Sequence, residues 1–137
     1  MTDQATPRPE HEISPAQAQA ACEQAPEQFF ILDCRLAEEL ETACIGKPLH
    51  IPLHELEDRL DEIEDALEDR ALAKDAPFAV LCHHGVRSLK ATLMLHQLGF
   101  PGARSICGGI EAWSTDVDPS VPRYTRTGSR CTIVPAG

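Results

Sequence analysis

No stretch of this 137-residue chain approaches the roughly 20 consecutive apolar residues that a membrane-spanning helix needs. The N-terminus, Met1-Thr2-Asp3-Gln4, also lacks the basic stretch and apolar run of a secretory leader. The expectation is a cytoplasmic protein whose thiols stay reduced. Positive charge is scarce: 12 Lys and Arg stand against 22 Asp and Glu, a formal charge of −10. Such a surface repels nucleic-acid backbones and anionic membranes, so neither is expected as a partner, and any anion site must be local. Internal repeats and low-complexity tracts are missing too. The six cysteines, at 22, 34, 44, 82, 107 and 131, include no Cys-x-x-Cys pair.

What is present is the balance of a globular protein, 42% hydrophobic and 25% charged, in a length that suits one domain. Residues 1–9 read as a flexible lead and 10–124 as the domain. From Thr125 the chain offers Thr, Arg, Gly, Ser and Pro with little to bury, so 125–137 reads as a flexible tail. Ser14-Pro15-Ala16-Gln17 places a capping Ser, a Pro at the first helical position and a Gln three residues after the cap, which starts a helix. Phe29-Phe30-Ile31-Leu32 is an apolar run too short for a helix; it reads as a buried strand that delivers Asp33-Cys34-Arg35 at its end. Leu53, Leu56, Leu60, Ile63 and Leu67 recur at spacings of three and four, one helical stripe. The opposite face is acidic, with nine acids against two arginines between Glu55 and Arg70. A docking face for a basic partner is one reading of it, and a solvated helix face the plainer one.

Phe78-Ala79-Val80-Leu81 reads as a second buried strand, followed by a helix over Leu89 to Leu98 that Gly99 stops. Ala103 to Cys107 reads as a third, with a helical turn at Ile110 to Trp113. Strands alternating with helices imply a parallel sheet covered on both faces.

The chemistry concentrates at the end of the second strand, in Cys82-His83-His84-Gly85-Val86-Arg87-Ser88. A loop whose N–H groups turn inward, backed by a helix N-terminus, forms a cup of partial positive charge. A cysteine at the bottom of that cup is drawn toward its nucleophilic thiolate form. Gly85 supplies a backbone conformation that side chains resist, and Arg87 offers two donors to an oxyanion. The competing reading is a buried structural cysteine beside a helix-capping arginine.

Separated motifs weigh against the plainer reading. Asp33-Cys34-Arg35, Glu38 to Leu40, Ile51-Pro52-Leu53, the Cys82 loop, Gln97-Leu98-Gly99-Phe100 and Gly108-Gly109-Ile110-Glu111-Ala112-Trp113 follow one another in the order of the rhodanese family. The chain resembles that family from about Glu10 to Tyr124. The resemblance implies an α/β fold, a three-layer α/β/α arrangement around a central parallel sheet of about five strands. It also implies a sulfurtransferase of the thiosulfate type, which carries sulfane sulfur as a Cys82 persulfide and hands it to a thiol, to cyanide or to a protein acceptor. Cys82 and Arg87 are then the catalytic residues. His83, His84, Gly85, Val86 and Ser88 surround the substrate, Asp33 and Arg35 support the site, and neither cofactor nor metal is expected. The alternative function is a sulfur-carrier or interaction module with little small-molecule turnover. Related phosphatases have a loop one residue longer, so phosphate chemistry is the lesser enzyme reading. The segment Cys44-Ile45-Gly46-Lys47-Pro48 departs from the family's usual pattern before Ile51.

His50 and His54 have a spacing found in zinc sites, yet without a Cys-x-x-Cys pair they read as loop or surface histidines. Cys131 in the tail either relays sulfur from Cys82 or is a bystander.

Overall fold

Short apolar runs bounded by polar turns form the inner strands of one sheet. The computed structural model describes residues 8–135, so residues 1–7 of the expected lead lie outside the described residues. Strands β1 (Glu12–Ile13), β2 (Ile31–Asp33), β3 (Leu49–His50), β4 (Phe78–Leu81) and β5 (Ala103–Ile106) form a sheet in the order β1-β5-β4-β2-β3. Every pairing in it is parallel. Helices α1 (Pro15–Gln24), α2 (Ala37–Thr42), α3 (Leu60–Asp69), α4 (Val86–Gln97) and α5 (Gly109–Asp116) connect the strands.

The two-residue alternation of a strand divides the core. Leu32, Phe78 and Val80 face one way, packed with Ile63 and Leu67 of α3 and Ala91 and Leu95 of α4. Ile31, Ala79 and Leu81 face the other, against Ala18 of α1 and Ile110 and Trp113 of α5. The result is the expected three-layer α/β/α sandwich with five parallel strands. All four β4 side chains are buried, as a strand covered on both faces requires.

Helix α1 begins as its sequence dictates: the Ser14 Oγ accepts from the Gln17 N–H at 3.1 Å while Gln17 Oε1 accepts from the Ser14 N–H at 3.0 Å. The stripe from Leu53 to Leu67 is less regular than one helix. Two single 3-10 turns, Leu53–Glu55 and Glu57–Arg59, precede α3. Leu53 leaves the helical ladder to give its N–H to the Cys34 carbonyl at 3.1 Å, which ties the start of the segment to the end of β2. Among the described residues no helix is long and apolar enough to cross a membrane.

The expected tail needs correction. Strands β6 (Tyr124–Thr127) and β7 (Arg130–Ile133) pair antiparallel around Gly128, whose φ of +63° suits a two-residue hairpin turn. Tyr124 is buried, and it anchors this hairpin beside the Cys82 loop.

Candidate active site

β4 ends at Leu81 and α4 begins at Val86, so the intervening loop lies at the C-terminal edge of the sheet, where open α/β folds bind ligands. The chain turns sharply here. Gly85 adopts φ +99° as the residue before α4, and this brings its N–H to 3.0 Å from Cys82 Sγ. The Ser88 N–H, in the first turn of α4, points at the same sulfur from 3.2 Å. The Ser88 hydroxyl lies 3.2 Å from Sγ and 2.7 Å from the Ser105 hydroxyl. Cys82 itself is 1% exposed, at the bottom of the cup.

A second helix end buttresses the loop from outside. The N–H groups of Ile110 and Glu111 donate to the carbonyls of Cys82 and His83 at 2.9 and 3.1 Å. This contact explains Gly109: a Cβ there would stand 2.5 Å from the Cys82 carbonyl oxygen, whereas a Cβ on Gly108 would meet the Ala112 side chain. With its carbonyls held outward by α5, the loop's N–H groups turn in toward sulfur.

Arg87 is placed differently from the expectation. Its two terminal nitrogens, expected to face a substrate oxyanion, instead grip Glu39 at 2.8 and 2.9 Å. Glu39 is fully buried and also accepts from the Tyr124 hydroxyl (2.8 Å) and the Leu36 N–H (3.1 Å). Burial alone would raise this carboxyl, but the Arg87 fork, the Leu36 amide and Tyr124 outweigh it and hold it at about 2. A buried charge demands such partners, and that demand is the physical reason the Arg87 fork is engaged by Glu39.

Asp33 and Arg35 lie beneath this network. Arg35 donates to Asp33 through Nε (2.9 Å) and Nη2 (2.7 Å), to the Ala43 carbonyl (2.9 Å) and to the Tyr124 hydroxyl (3.1 Å). Burial of Arg35 works against its charge, and the Asp33 carboxylate more than offsets this. Arg35 thus joins the loop's supports through Tyr124 and the Glu39 carbonyl, and Asp33 holds Arg35 in place.

The two histidines after Cys82 face the hairpin. The His83 ring stacks on Tyr124 with centroids 3.9 Å apart, stacks on His84 at 3.8 Å, and hydrogen-bonds the Tyr124 carbonyl at 2.9 Å. Burial, then the neighbouring His84, depresses its pKa below the usual imidazole value, so His83 supplies no fixed positive charge beside the cysteine. Val86 points outward, 78% exposed. Of the residues expected around the substrate, Gly85 and Ser88 meet the Cys82 sulfur; the side chains of His83 and Val86 do not.

A cavity of about 530 Å³ opens beside the loop, lined by Cys34, Leu36, Leu53 and Met94, with His54, Arg87, Lys90 and Arg126 contributing nitrogen groups and Glu57 a carboxylate. Arg87, Lys90 and Arg126 outnumber Glu57 and the buried Glu39 that Arg87 and Arg126 approach, so the patch is locally positive on a chain of charge −10. Arg126, from the hairpin, was not foreseen. His50 and His54 do not meet: His50 bonds the Arg35 carbonyl at 2.7 Å, while exposed His54 lies 3.3 Å from Glu55. Among the described residues the candidate metal-binding group is His83, His84 and Glu111. Its imidazoles are stacked 25° from parallel, so their in-plane lone pairs do not converge, and Glu111 is paired with Arg123 at 2.7 Å.

Comparison with known proteins agrees with this architecture. The family model described as Rhodanese-like domain matches residues 14–116. The adenylyltransferase and sulfurtransferase MOCS3-1 of Zea mays is 33% identical over 130 residues, which is 90% of this chain but 27% of that protein. The chain thus spans about a quarter of the length of that relative. Among solved structures, the human single-domain sulfurtransferase TSTD1 is 27% identical with a TM-score of 0.62, over 77% of this chain and 96% of that one. A rhodanese-related protein from Thermoplasma volcanium is 28% identical with a TM-score of 0.60, over 78% of this chain and 93% of its own. Fold, loop and matched residues agree: this chain belongs to the rhodanese-like domain family.

Proposed function

We propose that the protein is a sulfurtransferase that carries sulfane sulfur on Cys82. The observation that carries this reading is the convergence of the Gly85 and Ser88 N–H groups on one sulfur atom. Donors fixed around a sulfur stabilise the negative charge that it must hold both as attacking thiolate and as leaving group. With thiosulfate as donor, the Cys82 thiolate attacks the outer sulfur, the donor's S–S bond breaks, and sulfite leaves with the electron pair. The persulfide extends the reactive atom by a bond of roughly 2 Å, away from the bottom of the cup. A thiol or cyanide then attacks that outer sulfur, and Cys82 departs as thiolate.

In this mechanism Arg87 acts as a positioning residue. Its ion pair with Glu39 clamps the first turn of α4 to the segment after β2, which fixes the Ser88 amide. Lys90, Arg126 and the exposed edge of Arg87 give the adjacent cavity the sign that attracts an anionic donor. The names of the similar proteins, which include sulfurtransferases, support sulfur as the transferred group. A thiol on a partner protein is a second acceptor in this reading.

Intact-mass spectrometry after incubation with thiosulfate tests the reading. Wild type should gain one sulfur and lose it on addition of cyanide with release of thiocyanate, and Cys82→Ser should gain none. An unmodified wild type, or equal uptake by Cys82→Ser, overturns it.

A further inference from the structure

We propose that Cys34 is the resolving partner of Cys82, and that oxidation of Cys82 closes a reversible disulfide between the ends of β2 and β4. The inference goes beyond sulfur transfer, and its readout is a covalent bond that does not require the transfer reaction.

The sheet register places the two residues side by side. Leu32 pairs with Val80 and Asp33 with Leu81; one step on, Cys34 stands beside Cys82. The ladder persists at this step, since the Cys34 N–H donates to the Leu81 carbonyl at 3.0 Å. Side chains alternate between faces, and both sulfurs fall on the same side, in the core group that contains Leu32 and Val80. Cys22 and Cys131 pack on the opposite face of the sheet. Neighbouring strands lie about 4.8 Å apart, inside the roughly 4.4–6.8 Å between Cα atoms that a disulfide accepts. Arg87 senses both sulfurs, and after burial it is the Cys82 charge that does most to raise the Cys34 thiol above its ordinary pKa.

The sulfur-transfer mechanism gives Cys34 nothing to do, although it is 1% exposed and lines the cavity beside the loop. Its chemistry follows from its neighbour. A hydroperoxide transfers one oxygen to the Cys82 thiolate, its O–O bond breaks, and an alcohol or water leaves, which makes Cys82 a sulfenic acid. The Cys34 sulfur then attacks the Cys82 sulfur, the S–S bond forms, the S–O bond breaks, and water departs with the Cys34 proton. An external dithiol reopens the bridge and returns both thiols. Without a neighbouring thiol, sulfenic acid accumulates further oxygen and becomes sulfinic acid, which thiols do not reverse. Burial holds Cys34 in its thiol form until Cys82 is oxidised.

The experiment exposes the reduced protein to an excess of hydrogen peroxide, enough to supply both oxygens of a sulfinic acid, then blocks free thiols and digests it with trypsin under non-reducing conditions. The expected product has lost two hydrogens and joins peptide 75–87 to the peptide ending at Arg35, with fragmentation placing the bridge on Cys34. Dithiothreitol should return Cys82 to the thiol. In Cys34→Ala, Cys82 should instead gain two oxygens, and dithiothreitol should recover about tenfold less thiol than in wild type. A wild type that goes to sulfinic acid without the bridge overturns the proposal, as does a bridge to any other cysteine. So does a Cys34→Ala protein, folded by circular dichroism, that is protected as well as wild type. The wild-type arm stands whatever the variant's stability.

Discussion

Replacing Glu39 by Gln keeps the shape of a fully buried side chain and removes its charge, with an effect that depends on pH in a calculable way. The folded carboxyl is held at about 2 against an ordinary value of 4.5. At about 1.4 kcal/mol per pKa unit, this interval corresponds to about 3 kcal/mol of stability. The folded value lies below the unfolded one, so the contribution is complete above roughly pH 5 and is lost as pH falls toward 2. About 2 kcal/mol of it is gone by pH 3. Urea unfolding of wild type and Glu39→Gln at intervals from pH 7 to pH 3 reads this directly. Wild type should lead by about 3 kcal/mol at neutral pH and by only about 1 kcal/mol at pH 3. A gap that stays constant across that range refutes the reasoning, because it assigns the loss to packing and not to the charge that Arg87 and Tyr124 compensate.

Other substitutions probe the supports of the loop. Tyr124→Phe keeps the stack on His83 but deletes the hydroxyl that joins Arg35 to Glu39; it should cost about 2 kcal/mol in urea unfolding, and a loss below about 0.5 kcal/mol contradicts the network. Gly109→Ala drives a methyl group into the carbonyls of Cys82 and His83 at a φ of +63°. The loss should be about 3 kcal/mol or more by thermal unfolding, together with slower sulfur loading, and a neutral result removes the buttress from the account. Ala71, just beyond α3, holds a left-handed φ of 56°, so Ala71→Gly should raise stability by about 0.5–1 kcal/mol without changing turnover; a destabilised variant counts against that strain.

Local chemistry was readable from the sequence. Ser14-Pro15-Ala16-Gln17 needs no distant partner to cap α1, and Phe78 to Leu81 is too apolar and short to be anything but an inner strand. The Cys82 loop was legible because strand, glycine and helix start follow one another within a few residues. Partners far along the chain were not. Glu38, Glu39 and Glu41 look alike in sequence; only the approach of Arg87, 48 positions on, singles out Glu39 and explains why both terminal nitrogens of the arginine are taken. The hairpin was missed because Thr125 to Arg130 looks too polar to be ordered. A signal was present in Gly128-Ser129 between strand-forming residues, a pairing that favours a two-residue turn. What holds the hairpin in place is Tyr124, and its buried partners were invisible until Asp33, Arg35 and Glu39 were brought together.

The central claim is that one sulfur atom, cradled by the amides of Gly85 and Ser88, is where transferred sulfur resides. Thiosulfate labelled with heavy sulfur in its outer position allows that atom to be followed through a single turnover and located by peptide mapping. The account predicts the label on peptide 75–87 at Cys82, then its departure to an added thiol at the rate of turnover. Label found on another cysteine, or label on Cys82 that leaves much more slowly than product forms, would contradict it.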